Sequence, residues 1–167
     1  MRGRVHFTMW LVAMVLLMST GVISAEEAKP RRQTIDITPS SEERSSFELA
    51  NEAREERGLK PLVYCPRLSA VARAHARDMI AEDYFGHVDR DGHSVAFRLR
   101  EAGIGYSRVA ENLAGHADVY NAHEALMEGR GHRAAILGNY HRMGIGVVEG
   151  GPYGYMIVQM FAAGTGE

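Results

Sequence analysis

The order of the predicted secondary structure most constrains this fold, because helical periodicity comes first and strands dominate the end. Apolar residues three and four positions apart predict a helix from Ser46 to Arg57 and a stronger one that opens at Pro66. The end of the chain carries two runs rich in Val, Ile, Met and Tyr, Met143–Val148 and Tyr155–Phe161, separated by a Gly-Gly-Pro turn. A hairpin that follows several helices predicts an α+β domain with an antiparallel sheet packed between helical layers.

Two further helices and a short strand are predicted between these regions. Ser94 and Asp118 are residues of the type that caps helices, and apolar residues follow each at helical spacing. Between the two helices, Val109–Ala114 is predicted to be a short extended segment. The glycines at 129–131 are expected to break the helix that Asp118 caps, before a short helical segment at 134–137.

The amino terminus has the pattern of a secretory signal peptide. Arg2 and Arg4 precede an unbroken apolar run, Met9–Met18, which is too short to span a bilayer. Small residues before Ala25 match the positions that signal peptidase reads, so we predict cleavage there and assign residues 1–25 to the signal peptide. The alternative is an uncleaved membrane anchor, tethered by the polar residues that follow.

What remains after cleavage is enough for one domain. Residues 26–44 mix charges with Pro, Ser and Thr and predict a flexible leader, and residues 45–167 predict a single domain. Cys65 is the only cysteine, so packing must hold the fold without an internal disulfide. The formal net charge is −2, and no block of basic residues is present. This composition argues against nucleic acid as a partner and, after cleavage, against a stable membrane span.

Histidines and a carboxylate are the residues with chemical potential. His87 lies in a glycine-rich polar loop, Glu111 lies in the short strand, and His132 follows the predicted helix break. No local spacing joins these three residues, so the pattern alone does not predict a metal site. His75 lies on the apolar face of the second helix, and we interpret it either as a core histidine with a satisfied hydrogen bond or as packing beneath a site.

Ordered motifs along the chain resemble those of the CAP superfamily, which includes cysteine-rich secretory proteins, insect venom antigens and plant pathogenesis-related proteins. The motifs stand in that family's order: Phe85-Gly86-His87, Ala110-Glu111-Asn112-Leu113, Gly131-His132-Arg133-Ala134-Ala135-Ile136-Leu137, Gly144-Ile145-Gly146-Val147 and Val158-Gln159-Met160-Phe161. The resemblance runs from about Ser46 to Phe161. It implies a three-layer α-β-α sandwich with a central antiparallel sheet and a cleft on one side of that sheet.

The resemblance also implies a set of cleft residues. Animal members gather two His and two Glu in the cleft, and some bind a divalent metal through the histidines. By this resemblance His87, Glu111 and His132 share a cleft, with the two histidines as candidate ligands for zinc or a similar ion. Glu111 is then the candidate catalytic carboxylate, or it orients a histidine. The family's second carboxylate position falls on Gly129, so the fourth member of the cleft stays open.

Three functions remain open on this sequence. The first is an exported binding or interaction module that takes a lipid, glycan or protein segment, in keeping with the lipid and sterol binding linked to animal and fungal relatives. The second is a metal-assisted hydrolase, a peptidase or an envelope-acting enzyme, that uses His87, His132 and Glu111. The third is a non-catalytic structural protein of the envelope or of a stress response. Export would place the domain in the medium, the periplasm or the cell envelope.

Overall fold

The computed structural model describes residues 38–164, and the predicted signal peptide lies outside them. Five helices and four strands follow one another in this range: α1 (Ser41–Glu55), β1 (Val63–Tyr64), α2 (Pro66–Ala81), α3 (Val95–Glu101), β2 (Arg108–His116), α4 (Val119–Glu128), α5 (Arg130–Ile136), β3 (Arg142–Glu149) and β4 (Tyr155–Ala163). In this part of the chain no helix combines the length and the apolar character that crossing a membrane requires. The predicted α+β class is confirmed.

The four strands form one sheet in the order β1-β3-β4-β2. β3 pairs with β4, and β4 with β2, in antiparallel register, whereas the two-residue β1 runs parallel to β3. The predicted antiparallel sheet is confirmed for its three long strands, and β1 adds a short parallel edge. β2 forms the opposite edge, which places Glu111 at the border of the sheet.

Helices cover both faces of this sheet. α2 and α3 pack on one face, where Leu68 and Leu99 join apolar side chains of β2 and β4 in a buried cluster. α1, α4 and α5 pack on the other face, where Ile136 and Phe161 belong to a second buried cluster. The result is the three-layer α-β-α sandwich that the resemblance implied.

The first helix begins earlier than the apolar pattern indicates. Ser40 caps α1 in a capping box with Glu43, whose carboxylate accepts a hydrogen bond from the Ser40 backbone. Glu43 is 1% exposed and pairs with Arg73 of α2. Residues 41–44 of the predicted leader, 26–44, therefore belong to the helix. The pattern missed them because polar side chains that cap and pair carry no apolar periodicity.

The helix that carries His132 also differs from the prediction. Gly129 caps both the end of α4 and the start of α5, so α5 begins at Arg130 rather than near Ala134. Gly131 lies inside its first turn, with open space where a side chain would project. His132 therefore lies in a helix rather than between a glycine-rich break and a helix.

Candidate functional site

Two of the three predicted cleft residues are in contact. His87 lies in the loop between α2 and α3, and its Nδ1 is 3.0 Å from Oε1 of Glu111 on β2. The His87 side chain is 56% exposed, whereas that of Glu111 is 2% exposed. In the neutral imidazole this contact assigns the proton to Nδ1, which donates to the carboxylate, and leaves a lone pair on Nε2. The pair therefore offers one histidine nitrogen whose orientation a buried carboxylate holds.

One partly buried and one buried side chain, Arg98 and His75, approach Glu111 from the helices above it. Arg98 of α3 donates from Nη2 to Oε2 at 2.9 Å, and its side chain is 11% exposed. His75 of α2 places Nε2 3.9 Å from Oε1, and its side chain is 1% exposed. Each oxygen of Glu111 thus faces a fixed nitrogen, so a substrate would have to displace these groups to reach the carboxylate.

His75 is a buried histidine. Its Nε2 lies 3.0 Å from the carbonyl oxygen of Gly86, so we assign the ring proton to Nε2, which donates to that carbonyl. Burial lowers the pKa of His75, and the charge of Glu111 partly opposes that shift. Its Nδ1 is 3.4 Å from the Tyr84 hydroxyl, which donates to Asp78. The contacts confirm a buried histidine with a satisfied hydrogen bond, and they also place it beneath the contact between His87 and Glu111.

His132 approaches β2 from the opposite face of the sheet. Asn112 follows Glu111 and points to that face because side chains alternate along a strand, and its amide donates to the carbonyl oxygen of His132 at 3.1 Å. The same amide also donates to Gln159. Within residues 38–164 no hydrogen bond or ion pair joins the His132 imidazole to His87 or Glu111. Because β2 is an edge strand, the two imidazoles can approach each other only around its outer edge.

The expected metal pair is only partly assembled by these contacts. Across the described residues no group of three or more His, Cys, Asp or Glu side chains is arranged to hold a metal ion. His87 fits a ligand's requirements, since Glu111 orients its ring from behind as carboxylates do for metal-bound histidines. Gly129 occupies the position at which the family has its second carboxylate. A Cβ added to Gly129 would lie 2.7 Å from Nδ1 of His132, so this position is next to the His132 ring. The pairing of His87 with His132 stays a prediction.

An apolar groove lies beside this cluster, between α2 and α3. Its volume is about 490 Å³, within the usual range of small-molecule sites. On α2, the short side chains of Ala70 and Ala74 leave the groove open. On α3, Phe97 lines the other wall, and the His93 ring stacks on it with 3.9 Å between the ring centroids. Arg98 lines the groove and also pairs with Glu111, so the groove and the His87–Glu111 pair share a side chain.

Arg98 and the groove are the parts of the site that the sequence did not indicate. The one local signal is a charged residue directly before Leu99, which is fully buried. Such a position predicts that the charge has a buried partner, but it does not say which one. The groove depends on how α2 and α3 diverge, and no local pattern of residues encodes that distance.

Comparison with known proteins agrees with this architecture. The cysteine-rich secretory protein (CAP) family matches residues 47–161. The protein YkwD of Bacillus subtilis is 37% identical over 114 residues, which cover 67% of this chain and 44% of YkwD. The membrane protein YlbC of the same organism is 33% identical over 107 residues, which cover 63% of this chain and 31% of YlbC. The chain thus spans less than half the length of these two relatives.

Solved structures show the same fold. An extracellular protein with an SCP domain from Bacillus anthracis superposes with a TM-score of 0.68 at 26% identity, over 74% of this chain and 40% of that chain. An outer surface protein of Borrelia burgdorferi superposes with a TM-score of 0.70 at 16% identity, over 77% of this chain and 97% of that chain. The second likeness is one of fold alone.

A three-layer sandwich whose edge-strand glutamate contacts a loop histidine defines a domain of the CAP type. The family match covers most of the described residues, from position 47 to position 161. This chain belongs to the CAP family of cysteine-rich secretory proteins, although Cys65 is its only cysteine.

Proposed function

We propose that this protein is an exported binding module, with a cleft at His87, Glu111 and His132 and an adjoining groove that takes the acyl chain of a lipid. The observation that carries the proposal is the apolar groove of about 490 Å³ beside the cleft. Export is supported by the signal-like amino terminus and by a similar solved structure that is described as an extracellular protein.

The lining of the groove favours an acyl chain over a glycan or a charged peptide segment. Val71, Phe97 and Ile104 present carbon surface, and each methylene group buried against such surface contributes about 0.8 kcal/mol. Arg67 lies on the rim, where it donates to backbone carbonyls at the end of α3 and has no carboxylate partner within residues 38–164. Glu101 is the negative residue of the rim. Arg67 can therefore meet an anionic head group while the chain occupies the groove.

The environment of Glu111 supports binding rather than acid–base catalysis. A hydrolytic site needs its acid or base and its imidazoles around a point that substrate can reach. Glu111 is buried and held by Arg98, whereas only His87 of this pair is exposed. The exposed imidazole can contact a ligand, and the carboxylate serves to orient it.

Filling the groove tests the proposal. Replacing the exposed Ala74 with Phe places a ring in the groove without altering the buried face of α2. We expect affinity for a fluorescent long-chain fatty acid to fall roughly tenfold, which is about 1.4 kcal/mol or the burial of about two methylene groups. A fluorescence titration of the protein recovered from exporting cells measures this affinity.

The matched control is Ala125→Phe, at an exposed position of α4 that does not line the groove. This variant should bind the fatty acid as the wild type does. Equal affinity in Ala74→Phe and wild type would place the acyl chain elsewhere, and a wild type that binds no fatty acid would contradict the lipid assignment.

A second candidate is a metal-assisted hydrolase, and one observation favours it. Glu111 holds His87 in the tautomer that leaves Nε2 available to a cation. A divalent metal held by His87 and His132 would supply a Lewis acid that activates water. Two protein ligands are fewer than the three typical of catalytic zinc, so this candidate requires direct measurement of binding.

Zinc titration of the exported, chelator-treated protein decides this candidate. Under it we expect stoichiometric binding by isothermal titration calorimetry, lost when His87→Ala and His132→Ala are combined. His116→Ala combined with His141→Ala removes two histidines outside the cleft and should leave binding unchanged. A wild type that binds no zinc at micromolar concentration rules out the hydrolase and leaves the lipid proposal standing.

A further inference from the structure

We infer that His75 and Arg98 are positioning residues that lock the loop carrying His87 onto β2, so that the exposed imidazole has one orientation and one tautomer. The inference rests on the proposed binding role of the cleft and deepens it. It assigns the geometry of that cleft to two side chains that are not themselves members of the cleft.

Two consecutive carbonyls of the loop are held by these two side chains. His75 donates from Nε2 to the carbonyl oxygen of Gly86 at 3.0 Å, and Arg98 donates from Nη2 to that of His87 at 3.1 Å. The neighbouring side chains Phe85 and Val88 are exposed, although the Phe85 ring contacts that of Tyr153. The bonds of Arg90 to the carbonyls of Glu82 and Asp83 hold other parts of the loop, so His75 and Arg98 are the side chains that fix the backbone at Gly86 and His87.

The same two side chains also reach the carboxylate that contacts His87. Arg98 Nη2 is 2.9 Å from Oε2 of Glu111, and His75 Nε2 is 3.9 Å from Oε1. Arg98 further donates from Nη1 to the carbonyl oxygen of His93 at 2.8 Å, which holds the loop near its far end. His75 and Arg98 therefore hold both the loop backbone and the Glu111 carboxylate. Because both are held by the same two side chains, Nδ1 of His87 is placed against that carboxylate.

Packing alone does not require a histidine at position 75 or an arginine at position 98. Burying a charged or polar side chain costs more than burying an apolar one of similar volume unless every group is paired. Arg54 provides the comparison, since it is 3% exposed on α1 and donates to the carbonyl oxygens of Lys60, Ile136 and Gly138. Arg54 serves structure on the opposite helical layer. In contrast, Arg98 donates to His87 and Glu111, and His75 donates to Gly86, the residue before His87.

The tautomer of His87 is a readout that a purely structural role would not change. Ring ¹⁵N shifts distinguish a proton on Nδ1 from one on Nε2, and they are measured on the chelator-treated exported protein at about pH 8, above the usual histidine pKa. We expect the Nδ1–H form in the wild type. His75→Phe removes the donor to Gly86 while keeping a buried ring, and we expect it to lose the Nδ1–H form.

Three further variants make the test specific. His75→Gln places an amide nitrogen near the position of Nε2 and should retain the Nδ1–H form. Arg98→Lys keeps a charge for Glu111, but its single nitrogen cannot occupy the positions of both Nη1 and Nη2, so it should lose that form even if His75→Phe does not fold. Arg54→Met should lower stability and leave His87 unchanged.

Two outcomes would overturn the inference. One is a wild-type tautomer of His87 in every folded variant of His75 and Arg98, and the other is a wild type that lacks the Nδ1–H form. Fatty-acid binding by the wild type is a separate measurement, so a failure of the positioning role is distinguishable from a failure of the proposed function.

Discussion

Replacing Glu111 with Gln is expected to lower the free energy of unfolding by about 3 kcal/mol, although the two side chains have nearly the same shape. Both oxygens of Glu111 accept hydrogen bonds, from Arg98 and from His87, whereas a Gln amide has only one oxygen that can accept. Arg98, whose side chain is 11% exposed, would also keep its charge without a counter-ion. Breaking a buried ion pair by removing one partner costs about 3–5 kcal/mol. Urea denaturation of the two proteins measures the difference.

A double substitution separates the ion pair from its surroundings. Arg98→Met combined with Glu111→Leu removes both charges of this pair, so it should recover most of the stability that Glu111→Gln loses. Glu128→Gln, at an exposed carboxylate of α4, should change stability by less than about 0.5 kcal/mol. Equal stability of Glu111→Gln and wild type would mean that Arg98 and Glu111 are not paired in solution.

Elements with explicit local signals could be predicted from the sequence. Pro66 opens α2 as predicted, and Asp118 caps α4 with its side chain accepting from the backbone of Asn121. The two C-terminal strands form the predicted hairpin, and the structure extends β4 to Ala163. In each case the residues that determine the element are its immediate neighbours, so a pattern of a few positions is enough.

Elements that depend on distant contacts could not be predicted in the same way. The first turn of α1 is stabilised by the ion pair between Glu43 and Arg73, which are thirty positions apart. The pairing of Val63 and Tyr64 of β1 with β3 likewise joins residues nearly eighty positions apart. Helix and strand propensities describe only neighbouring positions, so they indicate neither interaction.

The candidate site likewise contains residues that local motifs indicate and a residue whose role depends on distant contacts. The family motifs pointed to His87 and Glu111, which lie 24 positions apart and are in contact. Arg98 carries no motif, because its importance comes from the two partners that it joins, Glu111 and the loop backbone. A residue whose role is to hold other residues in place is visible only when their positions are known.

Adding a methyl group at Gly144 or Gly146 is expected to destabilise the domain by about 3 kcal/mol or more in each case. α2 lies directly on β3 at these positions. A Cβ at Gly144 would lie 2.2 Å from Cβ of Leu68 and 2.4 Å from the Ser69 nitrogen, and one at Gly146 would lie 2.3 Å from the Arg73 nitrogen. Most of these neighbours are helix backbone, so no side-chain rotation relieves the overlap and the helix must move away. Thermal unfolding should show a Tm lower by about 10 °C.

Gly131→Ala is the matched control, because it makes the same change in a helix where nothing lies within 4 Å of the new Cβ. We expect it to be neutral or to stabilise α5 by about 0.5–1 kcal/mol. Because α2 carries His75 and one wall of the groove, Gly144→Ala should also weaken fatty-acid binding and the Nδ1–H form of His87. A Gly144→Ala protein as stable as Gly131→Ala would contradict the seating of α2 on β3, on which both the groove and the positioning of His87 depend.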